Sequence, residues 1–191
     1  MATYKDVMLI APDDVKAGTY VNFNVDDALL APAIRETQDV WLQSILGTPL
    51  YRRLLQMVYA EIENEDDSIE DEENANYKEL LDDYVIPYLE KKVQAVLVMP
   101  TSYQQRNLGT IHPSDTNLNA QQISDVLKTQ QRLNAVAARF ATALSHYLCE
   151  HRSAFPELNV ENCGCGAYKP MIGKTFVHCG IQFPMHNNCC D

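Results

Sequence analysis

No run in the 191 residues approaches the roughly 18 consecutive apolar residues that a membrane helix requires, so a helical span is excluded at the outset. The sequence also lacks a G-x-S-x-G elbow, a P-loop, a G-x-G-x-x-G turn and an H-E-x-x-H pair, which removes the enzyme classes built on them. Glycine is scarce at seven residues, and none falls within the acid-rich run 61–73. A calcium loop needs a glycine at its sharp turn, which that run lacks. The N-terminus carries one Lys before a short apolar patch and then acids, a poor match to a signal peptide. The compartment expected is a reducing cytoplasm, with the six cysteines read first as thiols or metal ligands.

The formal charge of −11 belongs mostly to one stretch. Residues 61–73, EIENEDDSIEDEE, hold nine acids and no base, while the other 17 acids face 15 bases. A solvated, mobile connection between helices is the expected form of the acidic loop, about 61–75. The bases show no comparable run, so the electrostatic footprint of phosphate binding is absent.

The best-determined local structure is the stretch Asp39–Leu55, DVWLQSILGTPLYRRLL. Trp41, Ile45 and Leu46 stand at helical spacing and Gly47 follows as a residue able to take positive φ. Thr48 offers a cap and Pro49 suits the first helical position. Before this corner, residues 1–11 alternate weakly and read as an extended arm or edge strand. Pro12-Asp13-Asp14 opens a helical turn ending at Gly18, and Thr19–Val25 alternates like a brief extended segment. Asp26-Asp27 starts the first long helix, with Leu30, Ile34, Thr37, Gln38, Trp41 and Ile45 on its buried face. A second helix runs from the corner to about Ile62. A third spans about Ala75–Met99, kinked at Pro87 and stopped by Pro100. Residues 100–118 read as a long crossing loop, and a fourth helix covers about Asn119–Arg152. The fold class is therefore mainly α: a four-helix bundle over 1–152 with an extended, partly β C-terminal arm over 153–191.

In that arm, Thr175–Phe183 is β-branched and aromatic and suits a strand or small hairpin. Its apolar side chains Phe176, Val177, Ile181 and Phe183 are the candidate partner-binding anchors. So short a segment with few helix formers folds round a metal or lies on another subunit. Zinc is the metal its ligands suit, through Cys163, Cys165, Cys179 and a fourth ligand from Cys189, Cys190 or His186. Against this, the first pair is C-x-C and the last is a bare C-C, unlike zinc knuckles, and no cofactor is otherwise expected. His146 and Glu150 lie four apart on the fourth helix and read as a surface pair rather than an acid–base site. Cys149 reads as a small core residue.

The sequence from Asp13-Asp14 through Asp26-Asp27, Ala33-Ile34, Gln38-Asp39 and Ile45-Leu46-Gly47-Thr48 to Leu50-Tyr51 resembles head–tail connector (adaptor) proteins of tailed bacteriophages. It is most similar to the neck ring proteins of crAss-like phages. Asp82-Asp83-Tyr84 with Pro87-Tyr88-Leu89 extends the likeness, which covers about residues 7–152; the cysteine-rich end departs from it. The resemblance implies a structural protein without enzymatic activity. It would form a cyclic ring, usually of twelve copies, below the portal protein, in the neck of a virion made in a bacterial cytoplasm. Its partners would be itself, the portal and the next neck or tail protein, with no membrane. Genomic DNA would pass through the channel without sequence-specific binding. The alternative left open by the arm is a zinc-stabilised protein-binding module that forms no ring. A helical enzyme using His146 and Glu150 is a third reading.

Overall fold

The three-dimensional structure is a computed structural model and describes residues 4–63, 67–102, 104–106, 109–111 and 123–159. The fold is mainly helical. A 3-10 turn at Tyr4–Asp6 precedes α1 (Pro12–Gly18) and α2 (Asp27–Glu36). A π-helical turn, Thr37–Leu42, carries α2 into the short α3 (Gln43–Leu46), and α4 (Thr48–Glu63) follows. After a 3-10 turn at Glu72–Asn74 come α5 (Ala75–Glu79), a second π-helical turn (Leu80–Val85) and α6 (Ile86–Ser102). The long α7 (Ile123–Glu150) leads to 3-10 turns at Arg152–Ala154 and Pro156–Asn159.

Chain chemistry explains the starts. Asp26 is the N-cap of α2, its carboxylate accepting from the Ala28 N–H at 3.0 Å. At α1, Asp14 reaches back to accept from the Ala11 N–H at 3.3 Å, and Pro12 fills the first helical position. The second π-helical turn sits where a kink at Pro87 is expected. Pro87 has no N–H to give the Asp83 carbonyl, and an ideal α turn would drive its ring into that oxygen. Here the Ile86 N–H instead bonds the Leu81 carbonyl, five residues back, so the turn is widened just ahead of the ring. Pro100 does not stop α6 but lies in its last turns.

One core joins these elements. Leu30, Ile34, Leu42, Leu46, Leu50, Leu54, Met57, Leu80, Leu89, Leu144 and Leu148 are fully enclosed. Each such side chain contributes on the order of 2 kcal/mol relative to exposure. Val7, Leu9 and Ile10 join the same cluster, but not as an edge strand. The buried amide of Gln38 donates to the Val7 carbonyl at 2.9 Å and accepts from the Leu9 N–H at 3.2 Å, pairing this segment as a strand would. Residues 19–25 are a turn rather than an extended segment, closed by Val25 N–H to Asn22 O at 3.0 Å. Within the expected crossing loop, Gln104–Arg106 pairs antiparallel with Gly109–Ile111, so part of it is a small hairpin.

Two boundaries shift. Phe155 is fully buried in the core and Leu158 packs against it, so the packed unit runs past residue 152. The acidic stretch is also less loose than expected. Ser68 and Ile69 are buried, and the Ile69 N–H bonds the Met57 carbonyl at 3.3 Å. No described helix is long and apolar enough to cross a membrane.

Candidate functional site

The corner sequence folds as a rigid joint. Gly47 closes α3 by donating to the Gln43 carbonyl at 3.0 Å, and its own carbonyl accepts from Tyr51 N–H to open α4. Its φ of 80° is positive as expected, but ψ is 150°, outside the left-handed helical region. That conformation is essentially restricted to glycine. Thr48 is already helical, its hydroxyl accepting from Gln43 Nε2 at 3.0 Å, so Pro49 stands at the second position of α4. Tyr51 donates to Asp39 Oδ1 at 2.5 Å, a bond that spans the corner. Burial, then the Asp39 carboxylate, push the Tyr51 phenol well above its ordinary value. The hydroxyl thus stays a donor at every ordinary pH.

A second joint ties the acidic stretch to the C-terminal turn. Arg53, on α4, forks onto Asp67 at 2.5 and 2.8 Å. Its hydrogen bonds hold the Asp67 carboxyl below the usual range. Asn74 donates to the Ser68 carbonyl at 2.8 Å and fixes the same stretch from the other side. Arg53 also lies 3.9 Å from Glu157, which accepts from the Tyr77 hydroxyl at 2.9 Å. Burial and Glu157 push the Tyr77 phenol up to about 12. The Phe155 ring meets Tyr77 edge-on at 5.2 Å, while Tyr147 stacks between Tyr84 at 4.2 Å and His151 at 4.3 Å. Lys92, on α6, places its ammonium 3.8 Å from the Trp41 ring centroid and donates to Asn134 of α7 at 2.7 Å. Burial lowers its pKa.

These perturbed groups hold helices together. Among the described residues, no group of three or more His, Cys, Asp or Glu could hold a metal ion. The proposed zinc ligands Cys163, Cys165, Cys179 and Cys189, with His186 and Cys190, lie outside the described residues. So do the arm anchors Phe176, Val177, Ile181 and Phe183. His146 and Glu150 are both exposed on α7, and Cys149 is half-buried there.

Two surface features escaped the sequence reading. Tyr20 and Phe23 are 98% and 72% exposed at the tip of the 19–25 turn, where alternation gave them no distinct role. On α7, Lys128, Arg132 and Arg139 lie at steps of four and seven on one exposed helical face. The bases that look scattered in sequence therefore line up. A signal was present: residues 126–149 contain no Asp or Glu in a chain of charge −11.

Comparison with known proteins gives one family. A family of unknown function (DUF6712) matches residues 42–168, from the first π-helical turn through α7, and the chain belongs to it. No curated protein and no solved structure matches the chain.

Proposed function

We propose that this member of the DUF6712 family is a structural virion protein, a head-to-tail connector whose ring extends the DNA channel below the portal and joins capsid to tail. In this reading the helices form a four-helix connector-type bundle. The C-terminal arm, extended and partly β, docks on portal or a neighbouring subunit and supplies no catalytic chemistry. The observation that carries the reading is the corner at Gly47, whose residues bear the resemblance to phage adaptors. A glycine-only backbone, the Tyr51–Asp39 bond and the Gln43–Thr48 bond set α3 and α4 at one angle. A ring subunit needs that kind of inflexible body, because small angular errors accumulate around a closed cycle.

Native mass spectrometry of the protein alone and mixed with its candidate portal tests this. The expected result is a ring-sized oligomer or a stoichiometric portal complex. A monomer that ignores portal would sink the connector reading; one that also carries a single zinc would establish the metal-stabilised binding module. The arm is tested by truncation after residue 159, since Phe155 belongs to the core. The shortened chain is expected to stay folded and lose portal attachment; unchanged attachment would rule out docking through the arm.

A further inference from the structure

We infer that two faces of this chain, divided by α6, meet each other in successive copies, the Tyr20–Phe23 turn of one copy seating on the outer face of α7 of the next. The inference rests on the assembly reading above and specifies its contact. The first face is built, not frayed. Val21 N–H bonds the Thr19 hydroxyl at 3.1 Å and Asn24 N–H bonds the Asn22 side chain at 2.9 Å. Val21 and Val25 pack inward against the core, which leaves the Tyr20 and Phe23 rings held outward. Four acids flank them in sequence, Asp13, Asp14, Asp26 and Asp27, all exposed. The one base among residues 11–29, Lys16, offsets a single charge of the four, lying 2.6 Å from Asp27 and 3.8 Å from Asp13, and Lys91, which reaches the Gly18 carbonyl, is balanced by Glu90 at 3.4 Å. An acidic surface with two projecting rings results.

The second face has the opposite character. Lys128, Arg132 and Arg139 are exposed along α7 with Ala135 and Ala138, also exposed, between them. Lys128 lies 3.5 Å from Asp125, whereas among the described residues Arg132 and Arg139 make no ion pair. Ile123 and Leu127 add apolar surface at the start of the helix, 63% and 42% exposed. Small residues between cations leave shallow room for rings, and the cations match the acids around those rings.

The two faces are kept apart within one chain. On α6, Lys91 reaches back to the Gly18 carbonyl at the end of α1 at 2.5 Å, whereas Lys92 reaches Asn134 of α7. Neighbouring helical positions point about 100° apart, so the end of α1, which leads into the turn, and α7 meet different sides of α6. Head-to-tail pairing satisfies both faces at once, as a heterologous contact requires. A nucleic-acid backbone fits less well. Three cations over about 17 Å of helix, at 1.5 Å per residue, neutralise few phosphates and leave the turn and the apolar groups unused.

The experiment uses full-length protein with reductant present, since six cysteines otherwise cross-link. One variant carries Tyr20→Ser and Phe23→Ser, the other Arg132→Glu and Arg139→Glu. All four side chains are exposed, and circular dichroism with thermal melting verifies that both variants fold. Sedimentation velocity is expected to show wild-type species larger than dimer and loss of everything above monomer in each variant alone. An equimolar mixture of the two should stop at dimer, because one intact face of each kind remains. Assemblies insensitive to both changes, a mixture that stays monomeric, or a monomeric wild-type chain would overturn the contact. If such a chain still binds portal, the connector reading stands while this inference falls. Retention of double-stranded DNA that is lost in the arginine variant, with its mass distribution unchanged, would assign the α7 face to nucleic acid and also overturn it.

Discussion

The corner region and the outer face of α7 are opposite ways of using helical residues. Around Gly47, Arg53 and Gln38 polar side chains are paired across the chain: Tyr51 with Asp39, Gln38 with Val7 and Leu9, Arg53 with Asp67. Leu42, Ile45, Leu46, Leu50 and Leu54 between them are enclosed, while Val40 is exposed. On α7 as far as Arg139, by contrast, Val126 and Ala137 are buried while Ile123, Leu127, Val136, Arg132 and Arg139 face outward. Folding free energy is concentrated in the first region. The second retains unspent binding capacity, and a surface is available for assembly only where the fold leaves it unused.

The sharpest way to break that contrast is to remove core volume at the corner. Leu46→Ala, at a fully enclosed site, is expected to lose about 2–5 kcal/mol in denaturant titrations. A loss under 1 kcal/mol would mean the corner is not the organising joint. Gly47→Ala should follow at about 1–3 kcal/mol, because φ of 80° with ψ of 150° strains any residue with a Cβ. Equal stability would show that the joint relaxes easily.

Arg53→Met should cost about 1 kcal/mol at neutral pH, a charge-assisted pair discounted for partial exposure. Its pH dependence is the more telling readout. The Asp67 carboxyl is held below its ordinary 3.8, so its contribution is present above that value and lost as pH falls through the depressed one. Acid titration of the wild type should therefore lose a stabilising increment below about pH 4 that the Arg53→Met chain lacks. Parallel acid curves would remove the pairing from the account. The smallest effect on stability belongs to Arg132→Glu with Arg139→Glu, expected within about 0.5 kcal/mol of wild type. A larger loss would show that the α7 face is structural, not a free binding surface.

Legibility in the sequence followed the range of the interactions. The helix starts at Pro12 and Asp26, the positive φ of Gly47, and the apolar face Leu30, Ile34 and Ile45 depend on neighbours within a few residues, and they were readable. The π-helical turns at Thr37–Leu42 and Leu80–Val85 were not: Pro87 announces a distortion at the second, but a kink and a widened turn are alternative responses to a proline. The acidic stretch was misjudged as loose for another reason: Arg53 lies fourteen positions from Asp67 and no periodicity links them. The basic stripe on α7 is hard to see in sequence because bases four and seven apart look dispersed until a helix stacks them.

From the sequence alone came the helical class, the placement of the corner and the absence of a long apolar span, since propensity, capping and hydrophobic period act locally. Only tertiary structure decided that Gln38 stands in for a strand, that Phe155 closes the core, and that Tyr20 and Phe23 face outward while Val21 and Val25 do not. Those outcomes depend on which distant segment occupies the remaining space, and a packed interior settles that for all its residues together.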